Sequence, residues 1–404
     1  MTDSSAADTI SGHHPLLRRR DGHHARVTFE ELFFDLVYVF AVTQLSHELL
    51  TNLNLTGVIE TLILWFAVWL GWQYTCWVTN WFDPETPRIR GMIFAVMLAG
   101  LVMASAIPGA FGERGLVFAL AYAAIQVGRT AYIVWELGSD HPLAANYRRM
   151  LGWVSIAAAF WIAGAFVEHE VRMALWAVAI ACEYVSPMFG FPLPGLGRSK
   201  TSDWTIEGGH LAERCQLFVI VALGETLLAT GATMARAGSW DVPILSALLA
   251  TFLGTLAMWW LYFGTSSKDA TDAITHSDDP GRMGAYFHYI HAILVAGIIA
   301  TAVGNDLVLA HPHDPLKTPY ALVLSIGPAI YLLGSAVYKK AVYGVLPASH
   351  MAGVAALLLL IPVASAVDLL AMGWLTTLIM LAVGFWEGRM LRKRRLSAVR
   401  PTAH

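Results

Sequence analysis

The stretch FEELFFDLVYVF, Phe29 to Phe40, sets Glu31, Asp35 and Tyr38 at i, i+4 and i+7, so the three share one face of a helix among apolar residues. An unpaired charge at bilayer depth is costly, so such a carboxylate either pairs with a cation of the protein or handles a proton or cation in transit. Gln44 lies nine residues beyond Asp35, on the other side of the helix, and a helix polar on two sides belongs in the centre of a bundle. A second stretch, ERCQLFVIVALGETLL, carries Glu213 and Arg214 and then Glu225, about 16 Å further along nearly the same face. Glu225 has no other charge within one helical turn, which suits a proton or cation relay.

Arg129, accompanied by Gln126, Tyr132 and Glu136, is the expected counter-charge for a carboxylate of either stretch, with Arg214 as the other choice. Glu183 and Glu387 sit near the ends of two further apolar runs. His288 and His291, three apart, share a face and can hold a proton or a metal of unknown identity, or serve as plain hydrogen-bonding residues. Asn305 and Asp306 can receive a solute or simply end a helix. The histidine pairs His13, His14 and His23, His24 have no fixed spacing to other ligands.

These residues need elements that can hold them in lipid. Of 404 residues, 56% are hydrophobic and 14% charged, and mean hydropathy is +0.56, well above that of water-soluble domains. The expected fold is all-α, a polytopic membrane protein of about twelve transmembrane helices. The spans are read at 29 to 50, 58 to 79, 90 to 108, 115 to 137, 149 to 168, 171 to 189, 207 to 235, 242 to 265, 284 to 309, 319 to 338, 349 to 370 and 372 to 388. With the N-terminus inside, 20 of the 26 Lys and Arg fall in inside loops and tails against 4 outside, which places both termini in the cytoplasm of a cell-membrane protein. No removable signal peptide is expected in the polar first 26 residues. Cys76, Cys182 and Cys215 read as small buried hydrophobes; the net charge of -3 says nothing about nucleic acid, and no nucleic-acid partner is expected.

Organisation follows from an internal repeat. Span 1 resembles span 7, with Gln44 beside Glu225; spans 4 and 10 share a small-residue step before Tyr132 and Tyr338; spans 6 and 12 carry Glu183 and Glu387. Six spans per unit give two parallel repeats. The expected parts are a disordered tail (1–26), a first repeat (27–189), a Pro- and Gly-rich linker (190–206), a second repeat (207–388) and a basic tail (389–404). In span 2, Trp65, Trp69 and Trp72 either line a vestibule or pack against lipid and neighbours, with Trp81 in the interfacial belt.

VTFEELFFDLVYVFAVTQLSHELL together with ERCQLFVIVALGETLLATG resembles the bacterial low temperature requirement A (LtrA) family over most of residues 24 to 390. The motif positions carried over are Glu31, Leu32, Phe33, Phe34, Asp35, Leu36, Glu213, Arg214, Gly224 and Glu225. Relatives often have Phe-Gly where this chain has Cys215 and Gln216. FFDLVYVFAVTQL is also distantly similar to the F-S-D first helix of the endosomal and lysosomal potassium channel family, with Phe34 at the Ser position, and WVTNW to that family's second helix. Neither resemblance supplies a reaction.

Three readings stand. The first is a transporter or channel for a small ion or solute, with a polar path between the two halves through Glu31, Asp35, Gln44, Arg129, Glu183, Glu213, Arg214 and Glu225. The second is a membrane enzyme acting on a lipid-linked substrate, against which stand the missing long catalytic loops and compact metal motif. The third is a scaffold or sensor whose buried charges only fix packing. No cofactor is expected; the partners are the bilayer and a small cation or proton, and the oligomeric state is open.

Overall fold

A computed structural model describes residues 14–18, 25–200, 204, 206–238, 240–264, 273–274, 277 and 279–399, the side chains of 280 and 394–399 excepted. Among these residues there is no β-strand, and every expected span but the eleventh falls on one helix over most of its length. In chain order the helices are α1 (Phe29–Thr51), α2 (Leu55–Trp81), α3 (Pro87–Ala106), α4 (Gly115–Leu137), α5 (Pro142–Gly164) and α6 (His169–Met188). They continue as α7 (Gly208–Arg236), α8 (Val242–Phe263), α9 (Pro280–Ala310), α10 (Thr318–Tyr343), α11 (Ala348–Leu359) and α12 (Leu369–Val399).

Local chemistry sets the ends. Proline stands in the first turn of α3, α5, α8 and α10, where its missing N–H costs nothing. The Asp241 side chain accepts from the Ile244 N–H at the start of α8, and Gly344, at φ 75°, ends α10 in the left-handed conformation. Three boundaries differ from expectation. Helix α5 begins at Pro142, seven residues early, because His141 caps it and Arg148 and Arg149 are good helix formers. Helix α12 runs on through the basic segment to Val399, for the same reason, so the expected tail from 389 is helical that far; 400–404 lie outside the described residues. The eleventh span is broken, α11 giving way to a 3-10 turn at Ile361–Ala366 where Pro362 cannot donate.

Nine helices among the described residues are long and apolar enough to cross a membrane: α2, α3, α4, α6, α7, α8, α9, α10 and α12. Their outward faces are apolar, with Leu98 67% exposed and Leu228 59%, while Arg129, Arg214 and Glu183 are buried. Apolar outside and polar inside is the arrangement lipid selects, and the chain is a multi-pass helical membrane protein.

The chain divides into two compact units. The first takes the described residues of Met1–Glu48, Ile59–Arg214 and Ile274–Ala285, hence α1 to Glu48, α2 to α6 and the start of α7. Its core is aromatic: Trp69, Trp72, Trp161 and Trp176 are fully buried. Trp81, expected at the membrane interface, is instead buried against Tyr147 and Trp204, and Trp65 packs on Trp69, so these rings face protein rather than lipid. Residues 14–18, inside the segment expected to be a tail, lie on this unit, where Leu17 bridges to Phe82; His13, His23 and His24 lie outside the described residues. Of the linker, 190–200 is a turn-rich loop with Gly190, Gly195 and Gly197 at positive φ.

The second unit takes the described residues of Leu49–Val58, Cys215–Ala273 and Tyr286–His404. Within it α9 and α10 run antiparallel and pack closely. A Cβ added at Gly334 would come within 2.9 Å of Leu294, at Gly297 within 2.3 Å of the Tyr331 nitrogen, at Gly327 within 2.8 Å of the Thr301 nitrogen, and at Gly304 within 2.9 Å of Leu324. Four glycines in register bring two backbones together, the packing that holds helices in lipid where the hydrophobic effect does not. Gly297→Ala is therefore expected to destabilise the protein by about 1–3 kcal/mol, whereas Gly224→Ala, facing open space, is neutral or slightly stabilising. Thermal unfolding in detergent checks both; equal effects would refute the seam.

Candidate functional site

The residues singled out by their spacing gather in the first unit as three linked sets. The first begins with a capping box. Thr28 precedes α1, its N–H and hydroxyl donate to Glu31 Oε2 at 2.9 and 3.1 Å, and the Glu31 N–H lies 3.4 Å from Thr28 Oγ1. The Arg18 guanidinium adds a bond to the same oxygen at 2.7 Å. Oε1 accepts from His210 Nε2 at 2.8 Å, and since Nε2 carries the proton, Nδ1 accepts from Asn80 Nδ2 at 3.1 Å. Asn80 also ties down the start of α7 by donating to the Glu207 carbonyl at 2.9 Å. Glu31, 1% exposed, thus has both oxygens bonded.

One turn deeper, Asp35 Oδ1 accepts from Trp72 Nε1 at 2.7 Å and Arg214 Nη2 at 2.8 Å. The same guanidinium lies against the Cys76 sulfur, Nη2 at 3.3 Å, and over the rings of Phe34 and Trp72. Three polar atoms here have no hydrogen-bond partner among the described residues: Asp35 Oδ2, Arg214 Nη1 and, a further turn along α1, the Tyr38 hydroxyl. All three side chains are at least 97% buried, with Asp35 the most exposed at 3%.

The third set lies on α4, whose Ala124–Gly128 segment is a π-turn. A π-turn displaces the side chains after it, and this one sits among Tyr122, Gln126 and Arg129. Arg129 donates to the Gly71 carbonyl at 3.2 Å, Thr75 Oγ1 at 2.9 Å and Gln126 Oε1 at 2.5 Å. Gln126 Nε2 in turn donates to Glu183 Oε1 at 3.1 Å, and Tyr122 OH and Trp161 Nε1 bond Oε2 at 3.0 and 3.3 Å. The expectation that Arg129 neutralises a carboxylate of α1 or α7 is therefore corrected. Its charge is balanced through an amide bridge by Glu183 of α6, because the π-turn aims it at α2 and Gln126 while Arg214 takes Asp35. Glu136 pairs with Arg88 at 3.1 Å and Glu30 with Arg90 at 2.7 Å.

Gln44 and Glu213 are half-buried on α1 and α7. In the second unit Glu225 is 2% exposed on α7, and His288 and His291 are fully buried on α9. His291 uses both ring nitrogens, Nδ1 to the Phe287 carbonyl at 2.6 Å and Nε2 to Tyr262 OH at 2.7 Å, which suits a hydrogen-bonded histidine better than a metal ligand. Among the described residues no group of three or more His, Cys, Asp or Glu side chains is placed to hold a metal. Asp306 bonds Thr233, and Asn305 lines a small cavity. Glu387 is held by Lys339 at 3.1 Å and Ser349 at 2.7 Å.

Sequence reasoning missed Arg18, His210, Asn80, Trp72 as a donor, and Gln126 as a bridge. Two signals were present: the Thr28-x-x-Glu31 capping pattern, and the i, i+3 spacing of Gln126 and Arg129. Arg18 and His210 carry none, since contacts across the fold leave no trace in local spacing.

Breaking one partner of a fully buried pair strands the other charge, so Asp35→Asn and Arg214→Gln are each expected to cost about 3–5 kcal/mol. The double variant should cost at least about 1 kcal/mol less than the two together. Unfolding in detergent measures this cycle, and simple additivity would contradict the pairing.

The family model described as "Bacterial low temperature requirement A protein (LtrA)" matches residues 26–385. The chain is 38% identical over 385 residues to "Uncharacterized protein RA0937" of Rhizobium meliloti (strain 1021), covering 95% of this chain and 94% of that one. No solved structure matches. The match takes in both motif stretches, and with them Glu31, Asp35, Arg214 and Glu225: the chain belongs to the bacterial low temperature requirement A family.

Proposed function

We propose that this protein moves a small ion or solute across the bacterial plasma membrane, along the face of α1 that carries Glu31, Asp35 and Tyr38. The observation that supports this most is the unspent hydrogen-bonding capacity beside a buried ion pair, at Asp35 Oδ2, Arg214 Nη1 and Tyr38 OH. A buried polar atom without a partner costs about 1–3 kcal/mol, and a group that only fixed packing would gain nothing from it. A passing proton, ion or water would supply the missing bonds. Glu31, with both oxygens bonded, and Glu183, with its amide bridge, hold the helices in place around that point.

In this reading all twelve helices cross the bilayer, with both termini cytoplasmic, as the distribution of Lys and Arg favours. Two parallel repeats are favoured by a correspondence between the units. Glu183 of α6 is held from α4 and α5 by Tyr122, Gln126 and Trp161, and Glu387 of α12 is held from α10 and α11 by Lys339 and Ser349. Glu225 is then the second unit's proton- or cation-binding carboxylate.

Tyr38→Phe separates transport from scaffolding, because the hydroxyl it removes has no partner to lose. In proteoliposomes with dyes reporting proton, sodium and potassium, the variant is expected to lose flux about tenfold, the worth of one hydrogen bond, with Tm unchanged or raised. Wild-type flux retained in both Tyr38→Phe and Asp35→Asn, or no flux in folded wild type, would refute the path.

A further inference from the structure

The second unit contains a cavity of about 20 Å³ that none of the charged sets touches, lined among others by Thr301 and Asn305 of α9, Leu324 and Pro328 of α10, and Thr376 and Thr377 of α12. A space of about 10–15 Å³ on this measure takes one water, so the cavity accommodates one or two bodies of that size. Its three hydroxyls have one chemical character. Thr301 donates its hydroxyl proton to the Gly297 carbonyl at 2.7 Å, Thr376 to Gly373 at 3.0 Å and Thr377 to Ala250 at 3.0 Å. Each hydroxyl has spent its only proton on a backbone oxygen and keeps only lone pairs.

Leu324 and Pro328 bring a break in the helical hydrogen bonding to the lining. Pro328 stands inside α10 and has no N–H, so the Leu324 carbonyl one turn earlier lacks its helical donor. In lipid a carbonyl freed in this way is tolerated where it lines a cavity. Asn305 adds an amide, 9% exposed, whose nitrogen has no partner among the described residues; turned about its last bond it presents oxygen instead. Leu324 and Pro328 lie roughly 9 and 15 Å along α10 from its start, well inside the helix. The close approach of Gly327 to Thr301 fixes α10 against α9 at this level.

We propose that this cavity binds one dehydrated alkali cation. Neutral oxygens from hydroxyls and an amide are hard ligands, with too little charge for a divalent ion. Asp306, next to Asn305 in α9, supplies a formal negative charge on the same helix. As a step in transport the site rests on the reading above; as a binding site it stands alone, and its test reads no flux.

The purified protein is titrated in detergent with sodium, potassium or choline chloride at constant ionic strength while Tm is followed. Sodium, potassium or both are expected to raise Tm by about 2–4 °C with saturation, choline not, and the rise to vanish in Asn305→Leu and Thr376→Val. If Asn305→Leu fails to fold, Thr376→Val carries the test, since it keeps the shape and removes one oxygen. A rise equal in choline, no rise in any salt, or a rise that survives in the folded variants would overturn the assignment.

Discussion

A carboxylate and a guanidinium taken out of water together, Asp35 and Arg214 at 2.8 Å, are the constraint around which the first unit is arranged. Neither could be left in the membrane interior without the other. Their meeting requires α1, α2 and the start of α7 to converge, since Trp72 bonds the carboxylate and Cys76 lies against the guanidinium. The set above them, Arg18, Glu31, His210 and Asn80, closes the same helices one turn away. The third set ties α2 to α4 and α6 through Arg129, Gln126 and Glu183, so the charges and the helix packing are one network.

The two carboxylates of α1 illustrate how position divides labour. Glu31, in the first turn, can call on a backbone N–H, a threonine hydroxyl, an arginine and a histidine, and both its oxygens are bonded. Asp35, four residues deeper, has only an indole and a guanidinium on one oxygen. The deeper group is thus held firmly yet left incomplete, which is the state expected of a site that exchanges partners.

Much of this was legible in the sequence. The i, i+4, i+7 spacing of Glu31, Asp35 and Tyr38 put them on one buried face, and the apolar runs located the nine helices long enough to cross a membrane among the described residues. Arg214 was named as one of two partners for α1, but choosing between it and Arg129 required the π-turn of α4, which no periodicity reveals. Trp81 was placed at the interface because tryptophan favours it, yet Tyr147 and Trp204 claimed its ring. The seam of α9 and α10 was written in Gly297, Gly304, Gly327 and Gly334, but glycines in two helices show their register only once the helices face each other. Asn305 was marked as a possible solute contact; the acceptor-only character of the hydroxyls around it depends on where three protons point, which is a property of the folded chain.

The central claim is that the Asp35–Arg214 pair can be reached from water as the protein works, and a native thiol reports on it, because the Cys76 sulfur lies 3.3 Å from Arg214. In proteoliposomes of a variant with Cys182→Ala and Cys215→Ala, the rate of Cys76 modification by a small membrane-impermeant cationic thiosulfonate would be measured. A path through this face predicts labelling of the folded protein at a measurable rate, although the thiol is buried in the structure. A Cys76 that reacts only after denaturation would show a permanently dry core and contradict the account.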